Sequence, residues 1–152
     1  MVKLHMEAVK AFHDKLQVSP TQPMPTEVDR TLCDVARRIL MASKLMEPMG
    51  AVDERWNRAH LIAEETGELI QAMGAGDEEK AFDGLIDLLY VVLGTAVTFD
   101  WPLAEGFEEV HRSNMTKEKQ PTDVSEHRVR DKGPNYKAPD LQAVLNKYRQ
   151  GE

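Results

Sequence analysis

The amino-acid sequence predicts an all-α protein. Strand signals are nearly absent, because no period-two run bounded by Asn-Gly or Asp-Gly occurs. Apolar residues instead recur at helical spacing, as at Leu4, Ala8, Ala11 and Leu16 of the first segment. Prolines and glycines divide the remainder of the chain into segments of helical length.

The first predicted helix covers residues 2–16 and ends at a loop with three prolines, residues 19–25. Thr26, with Asp29 three residues later, resembles a capping box and predicts the start of the second helix. Pro48 and Gly50 predict its end. The third helix contains HLIAEETGELIQAM, residues 60–73, and is expected to end near residues 74–76.

Asp77 is the expected cap of a long fourth helix, from residue 78 to about residue 99. Pro102 then predicts a helix over residues 103–114. Residues 117–139 lack periodicity and contain three prolines, so a loop is expected there. Asp140 predicts the cap of a last short helix that ends before Gly151.

Length and composition indicate one globular domain over residues 1–152, with 41% hydrophobic and 30% charged residues. The single cysteine, Cys33, is typical of a reducing cytosol, so a cytoplasmic location is expected. The longest apolar run, residues 85–99, is shorter than the roughly 20 residues that span a bilayer, which argues against a membrane partner. The net charge of −7 argues against a nucleic-acid partner.

The charge is divided unevenly along the chain. Residues 47–110 hold 15 acidic residues and 3 basic ones, a net charge of −12. Residues 111–137 hold 7 basic residues and 4 acidic ones, a net charge of +3. An acidic segment followed by a basic segment predicts that the two have different roles.

The acidic residues of the third helix adjoin its apolar stripe. On a helical wheel of about 100° per residue, Glu65 falls on the flank of the stripe, beside Leu69. Glu68 is the next residue around the wheel, and Glu64 lies beyond it. A solvated acidic face would instead lie opposite the stripe.

The fourth helix is apolar nearly all round, which predicts burial on most sides. Asp87 lies in the middle of this run, and Asp83 precedes it by one turn. A buried carboxylate must be protonated, paired or bound to a cation. The three local bases cannot neutralise five clustered acids, whereas Mg²⁺ or Mn²⁺ can, because both prefer oxygen ligands. The alternative is an exposed acidic edge, with Asp87 paired to an arginine or a hydroxyl group.

The motif EETGE, residues 64–68, followed by DGLID, residues 83–87, resembles the EExxE…ExxD signature of the all-α nucleoside triphosphate pyrophosphohydrolases. This superfamily includes the MazG-like proteins, the dimeric dUTPases and phosphoribosyl-ATP pyrophosphohydrolase. The segments DLLYVVLGTAVTF, FEEVHRSNMTK and KGPNYKAPDL also resemble its small MazG-like branch. The resemblance extends over about residues 54–141.

The resemblance implies a MazG-like fold in which dimerisation completes a four-helix bundle, in a homodimer or homotetramer. It implies Mg²⁺-dependent hydrolysis between the α- and β-phosphates of a nucleoside triphosphate, giving a monophosphate and pyrophosphate; Mn²⁺ can substitute. By the family pattern, Glu65, Glu68 and Asp87 are metal ligands, and Glu64 holds a further metal or orients the attacking water. The family glutamate is replaced by Gly84, and Asp83 is the expected substitute ligand.

The basic segment HRSNMTK, residues 111–117, closes the fifth predicted helix. Basic residues at a helix C-terminus ordinarily complement its dipole. A metal–triphosphate substrate also needs donors for its outer phosphates. The family likeness therefore predicts phosphate contacts from five residues, namely Arg112, Asn114, Lys117 and, in the basic tail over residues 119–152, Lys132 and Lys137.

The sequence indicates the residues that recognise the base less clearly than it indicates the metal ligands. Trp56 and His60 precede the acidic motif, and Tyr90 follows Asp87 by about a turn, so each could stack on or hydrogen-bond a base. The alternatives are a packing role for Trp56 and Tyr90 and a solvated position for His60.

The sequence therefore predicts a (d)NTP pyrophosphohydrolase with its catalytic core at about residues 54–118. A deoxynucleotide such as dGTP, dUTP or dCTP is the expected substrate. Phosphoribosyl-ATP is the enzymatic alternative. The replacement of the family acid by Gly84 leaves a non-catalytic nucleotide-binding module as a further alternative.

Overall fold

The computed structural model describes residues 2–16, 22–118 and 133–151, which contain six α-helices and no β-strand. The all-α prediction is therefore confirmed. The helices in chain order are α1 (Val2–Leu16), α2 (Arg30–Gly50), α3 (Glu54–Ala75), α4 (Glu78–Thr98), α5 (Leu103–Asn114) and α6 (Leu141–Gln150).

The chain forms two compact units. The central unit comprises Gln22–Asp100 and contains α2, α3 and α4. The terminal unit comprises Met1–Thr21 together with Trp101–Glu152 and contains α1, α5 and α6. The predicted catalytic core, residues 54–118, draws on both units.

In the central unit, α3 packs against α2 on one side and against α4 on the other. A short turn reverses the chain between α3 and α4, so the two helices run antiparallel. Gly76 forms this turn with φ 71°, a left-handed conformation that favours glycine. Asp77 then caps α4 by accepting a hydrogen bond from the backbone N–H of Lys80. The sequence-based prediction of this cap is confirmed.

The predicted start of α2 is wrong, whereas its end at Gly50 agrees with one of the two residues that predicted it. The N-cap is Asp29 rather than Thr26, since the Asp29 carboxylate accepts hydrogen bonds from the N–H groups of Thr31 and Leu32. The helix continues through Pro48 to Gly50.

The predicted burial of α4 on most sides is not met within one chain. Within this chain the helix packs on α3 through a narrow stripe of mostly small residues, Ala81, Gly84, Thr95 and Ala96. The rest of its apolar surface is exposed, including the side chains of Phe82, Leu85, Ile86, Leu89, Tyr90 and Val97. Asp87, expected in the core, is exposed as well. Within the described part of the central unit, α3 is the helix on which α4 packs.

Among the described residues, α4 is the one helix long and apolar enough to cross a membrane by length and composition. The core helix of a soluble protein meets the same criterion, although here only 17% of the apolar window is buried. Asp83 and Asp87 lie within the helix, and carboxylates are costly inside a bilayer.

In the terminal unit, α5 contacts both α1 and α6. The ring of His5 lies 4.1 Å from that of Phe107, which joins α1 to α5. Glu109 joins α5 to the start of α6, because its carboxylate accepts a 2.7 Å hydrogen bond from the backbone N–H of Asp140. Asp140 caps α6 as predicted, by accepting a hydrogen bond from the Ala143 N–H.

Candidate active site

The antiparallel pairing of α3 and α4 determines which side chains meet. Arg58, near the start of α3, donates a 2.8 Å hydrogen bond to the carbonyl of Val91 and a 3.2 Å hydrogen bond to Thr95 Oγ1. Thr95 Oγ1 in turn donates to the Val91 carbonyl at 2.8 Å. These bonds fix the register of the two helices. The acidic turn of α3 therefore lies opposite the acidic turn of α4.

Glu65 is the centre of this acidic cluster. Burial raises the pKa of its carboxyl group above the ordinary value, and the negative charges of four further acids raise it in the same direction. In decreasing order of effect these neighbours are Glu68, Asp87, Glu64 and Asp83. No basic group is among the causes of the shift. The five acids predicted from the sequence therefore form one electrostatic cluster.

Glu64 is also linked to α2 through His60. Nδ1 of His60 lies 3.0 Å from the backbone carbonyl oxygen of Ser43. Nε2 of the same ring lies 3.7 Å from Oε2 of Glu64, one turn further along α3. Both ring nitrogens are thus engaged within the central unit.

A cavity of about 420 Å³ opens beside the acidic cluster. Its acidic end is lined by Glu68, Asp83 and Asp87. The rest of the lining is apolar or mixed, and consists of Leu40, Gln71, Ala72, Ala75, Asp77, Lys80 and Gly84. The volume lies within the range typical of small-molecule sites.

The acidic side chains do not converge on a point in their present rotamers. Within residues 2–16, 22–118 and 133–151, no group of three His, Cys, Asp or Glu side chains has a geometry that could hold a metal ion. Glu68, Asp83 and Asp87 line an open cavity, so their rotamers can change without repacking the core. The carboxylate oxygens themselves suit a hard divalent cation, although Lys80 lines the same cavity and His60 lies beside Glu64.

The predicted phosphate contacts belong to the terminal unit. Nε and Nη2 of Arg112 donate 2.7 Å hydrogen bonds to the two carboxylate oxygens of Glu109, and Nη2 also donates to the carbonyl of Ala138. Lys117 Nζ donates to Asn114 Oδ1 at 2.7 Å. Arg112, Asn114 and Lys117 are thus placed by contacts within their own unit.

Of the two phosphate-contact candidates in the tail, the structure describes Lys137. Lys137 lines a second cavity, of about 510 Å³, together with Lys15, Met115, Thr116, Glu118, Pro134, Asn135 and Tyr136. Its backbone N–H donates to Thr116 Oγ1 at 2.9 Å. Lys132 lies outside the described residues.

Two of the three base-recognition candidates are accessible within this chain, whereas the side chain of His60 is only 13% exposed, so the alternative of a solvated His60 is wrong. Trp56 is 42% exposed and Tyr90 is 77% exposed. Tyr90 is therefore not a core residue within this chain, which was the alternative to its role in base recognition. Trp56 lies in the first turn of α3, where its backbone N–H donates to the Asp53 carbonyl at 2.9 Å.

Lys80, Gln71 and Leu40 are among the cavity residues that were not anticipated from the sequence. Lys80 precedes Asp83 and Asp87 on one helical face, so its spacing of three and seven residues could have indicated it. Gln71 follows Glu68 by three residues on α3, so its helical spacing could also have indicated it. Leu40 comes from α2, and no local pattern connects it to the acids.

Comparison with known proteins gives a family. The sequence pattern that describes phosphoribosyl-ATP pyrophosphohydrolase matches residues 36–114, which is 79 of the 152 residues and therefore more than half of the chain. No curated protein and no solved structure gave a match. The matched segment contains α3, α4 and all five acids of the cluster. The chain belongs to the phosphoribosyl-ATP pyrophosphohydrolase family, within the all-α MazG-like nucleoside triphosphate pyrophosphohydrolases.

Proposed function

We propose that this chain is a Mg²⁺-dependent nucleotide pyrophosphohydrolase that cleaves the anhydride between the α- and β-phosphates. The products are a nucleoside monophosphate and pyrophosphate. Family membership supports a hydrolase of phosphoanhydride bonds. The observation that carries the metal-dependent mechanism is the cluster around Glu65, whose charged neighbours are all acids.

Mg²⁺ fits this cluster because the available donors are carboxylate oxygens. In this proposal Glu65, Glu68 and Asp87 hold the metal, and Asp83 supplies the carboxylate that Gly84 lacks. When bound, Mg²⁺ or Mn²⁺ supplies Lewis acidity and lowers the pKa of a coordinated water. In this proposal Glu64 would orient the attacking water.

The triphosphate also needs cationic donors, because its own negative charge opposes the approach of an oxygen nucleophile. Arg112, Asn114 and Lys117 are proposed as these donors, with Lys132 and Lys137 in the tail. Arg112 pairs with both carboxylate oxygens of Glu109 through Nε and Nη2, so a bidentate phosphate contact would require it to exchange that pair.

Two substrates suit this chemistry. A deoxynucleoside triphosphate is one, in keeping with the resemblance to the MazG-like branch. Phosphoribosyl-ATP is the other, and the family match to residues 36–114 favours it. Both carry a triphosphate, so the acidic cluster does not discriminate between them. Discrimination would fall to the groups around the base, for which Trp56 and Tyr90 are the accessible aromatic candidates.

A homodimer or homotetramer is part of the proposal. The exposed apolar side chains of α4 support it, because one chain leaves them in contact with water. A second copy of α3 and α4 packed on this face would bury them and would complete a four-helix bundle.

Product analysis tests the proposed activity. The purified protein is incubated with Mg²⁺ and, separately, with each of the four dNTPs and with phosphoribosyl-ATP, and pyrophosphate and orthophosphate are both measured. Pyrophosphate from one or more substrates supports the proposal, and the preferred substrate identifies the base and sugar. Orthophosphate alone indicates a different hydrolase. Binding of nucleotide with no product indicates the non-catalytic module that Gly84 favours.

Glu68→Gln provides the matched control, because it keeps the size of the side chain and removes only the charge. This variant is expected to lose pyrophosphate release and to weaken Mg²⁺ binding measured by calorimetry. Wild-type activity in Glu68→Gln would contradict the assigned metal site.

A further inference from the structure

The ring of His60 is held between α2 and the acidic cluster. Its side chain is only 13% exposed, and Nδ1 lies 3.0 Å from the carbonyl oxygen of Ser43. A carbonyl oxygen can only accept a hydrogen bond, so Nδ1 carries a proton. Ser43 is itself 1% exposed, and its hydroxyl donates to the Leu40 carbonyl at 2.9 Å. The ring is therefore anchored to a rigid part of α2.

The other nitrogen of His60 faces Glu64. The distance from Nε2 to Glu64 Oε2 is 3.7 Å, which is within the range of an ion pair and longer than a direct hydrogen bond. At this distance the ring restricts the directions in which the Glu64 carboxylate can point.

Glu64 needs such a restraint. Its side chain is 39% exposed, and it belongs to the set of acids whose charges act on Glu65. Repulsion within the set favours rotamers that turn Glu64 away from the cluster, and a glutamate has considerable rotamer freedom to lose. Among its described contacts, His60 is the one ionic partner of Glu64.

We infer that His60 is a positioning residue, which restricts the orientation of the Glu64 carboxylate by linking it to the Ser43 carbonyl of α2. This role rests on the proposed function of Glu64 and deepens it. It also makes α2 part of the active-site support, although α2 contributes none of the five acids. Hydrogen bonding of a nucleobase by either ring nitrogen would require one of these two contacts to break.

His60→Asn tests the inference. The asparagine amide nitrogen can still reach the Ser43 carbonyl, whereas the shorter side chain does not extend to Glu64. The variant is therefore expected to fold with an unchanged helical signal and to lose about 10-fold in kcat with little change in KM, the size typical of a lost supporting contact. His60→Gln, whose amide can reach Glu64, is expected to lose less. His13→Asn, the same substitution at an exposed site of α1, is the control.

A double-mutant cycle with Glu64→Gln separates positioning from a general structural effect. If His60 acts through Glu64, then His60→Asn lowers kcat in the wild-type background and causes no further loss in the Glu64→Gln background. Equal losses in both backgrounds, or no loss in either, would overturn the inference.

A readout without turnover distinguishes this inference from the proposed function. Crystal structures of wild type and of His60→Asn are compared at the Glu64 side chain. A displaced or disordered Glu64 carboxylate in the variant supports the positioning role even if wild type releases no pyrophosphate. An unmoved, well-ordered Glu64 in the variant overturns it, whatever the activity.

Discussion

A Cβ atom at Gly84 would lie 3.1 Å from Cα of Leu69 and 3.2 Å from its backbone nitrogen. Helices α3 and α4 therefore meet at this point through backbone, with no room for a side chain between them. Asp83 and Asp87 flank the contact on α4, and Glu65 and Glu68 precede Leu69 on α3. The close approach thus lies within the acidic cluster. Gly84, which replaces the glutamate of the family signature, is the residue that permits this close approach of α3 and α4.

Gly84→Ala is expected to lower the stability of the protein. Alanine ordinarily stabilises a helix interior by about 1 kcal/mol relative to glycine. Here the added methyl group must displace the backbone of α3, and overpacking of this kind costs about 1–3 kcal/mol. Denaturant unfolding measures the difference. The control is Gly106→Ala in α5, where a Cβ meets nothing within 4 Å, so a gain of up to about 1 kcal/mol is expected. Similar gains for both variants would contradict the tight contact.

The metal-free protein is expected to become less stable as the pH rises through the folded-state pKa of Glu65. That pKa is raised, first by burial and then by Glu68 and the other acids, so the folded state binds the proton more tightly than the unfolded state does. The penalty is absent below the ordinary carboxyl pKa of about 4.5, grows above it and is complete above the raised value. Melting temperatures across this window, without and with Mg²⁺, measure the effect.

Glu65→Gln is the control for this pH dependence, since it removes the titrating group and keeps its shape. The slope of stability against pH should flatten in the variant, and Mg²⁺ should flatten it in wild type. A wild-type slope that is unaffected by Mg²⁺ would contradict binding of the cation among these acids.

Arg58→Met is expected to destabilise the central unit by about 2 kcal/mol, because hydrogen bonds to a charged group contribute roughly 1.5–3 kcal/mol. The substitution removes the donors to the Val91 carbonyl and Thr95 Oγ1, which hold α3 and α4 in register. Chemical denaturation measures the loss. Arg37→Met is the matched control, since Arg37 forms an exposed ion pair with Asp34 on one helix and should change stability little. Equal losses of stability in the two variants would contradict a role for Arg58 in holding α3 and α4 in register.

Glu109→Gln is expected to reduce the acid sensitivity of the terminal unit. The hydrogen bonds from Arg112, followed by that from the Asp140 N–H, lower the pKa of Glu109 from 4.5 to about 2. A lowered carboxyl pKa contributes stability that is complete above the unfolded value of 4.5 and is lost as the pH falls towards 2. Thermal unfolding from pH 6 to pH 2 should show this loss in wild type and in Glu108→Gln, but not in Glu109→Gln. A loss of stability of the same size in all three proteins would contradict the assignment of this acid sensitivity to Glu109.

Leu85→Arg is expected to dissociate the proposed oligomer, because a charge on the exposed face of α4 cannot be buried without a partner. Light scattering should give a multiple of the chain mass for wild type and the mass of one chain for the variant. Met6→Arg, at an exposed site of α1, should leave the assembly unchanged. A monomeric wild type would contradict the proposal. Recovery of wild type only in detergent would indicate that a membrane covers the face.

Local signals in the sequence were sufficient for most helix boundaries. Asp77 and Asp140 cap their helices as predicted, and α5 begins after Pro102 and ends at Asn114. These predictions succeeded because capping and proline effects act within one turn of the chain. The start of α2 was wrong because Thr26 and Asp29 are both acceptable caps, and only the contacts around the helix choose between them.

The five acids could also be identified from the sequence, because helical spacing and the family signature both indicate them. Their common electrostatic environment around Glu65 agrees with that prediction. The exposure of Asp87 did not follow, since an apolar helix predicts burial without saying whether its own chain or a second one provides the cover. His60 shows the same limit: its spacing places it beside Glu64, whereas its contact with Ser43 joins residues 17 positions apart.

The sequence by itself determined an all-α chain, the family to which it belongs and the acids that surround Glu65, because these depend on local periodicity and residue chemistry. Only the tertiary structure decided the register of α3 against α4, the backbone contact at Gly84 and the link from α2 to Glu64. Each of these depends on how closely two helices approach, and that distance is set by side chains far apart in the sequence.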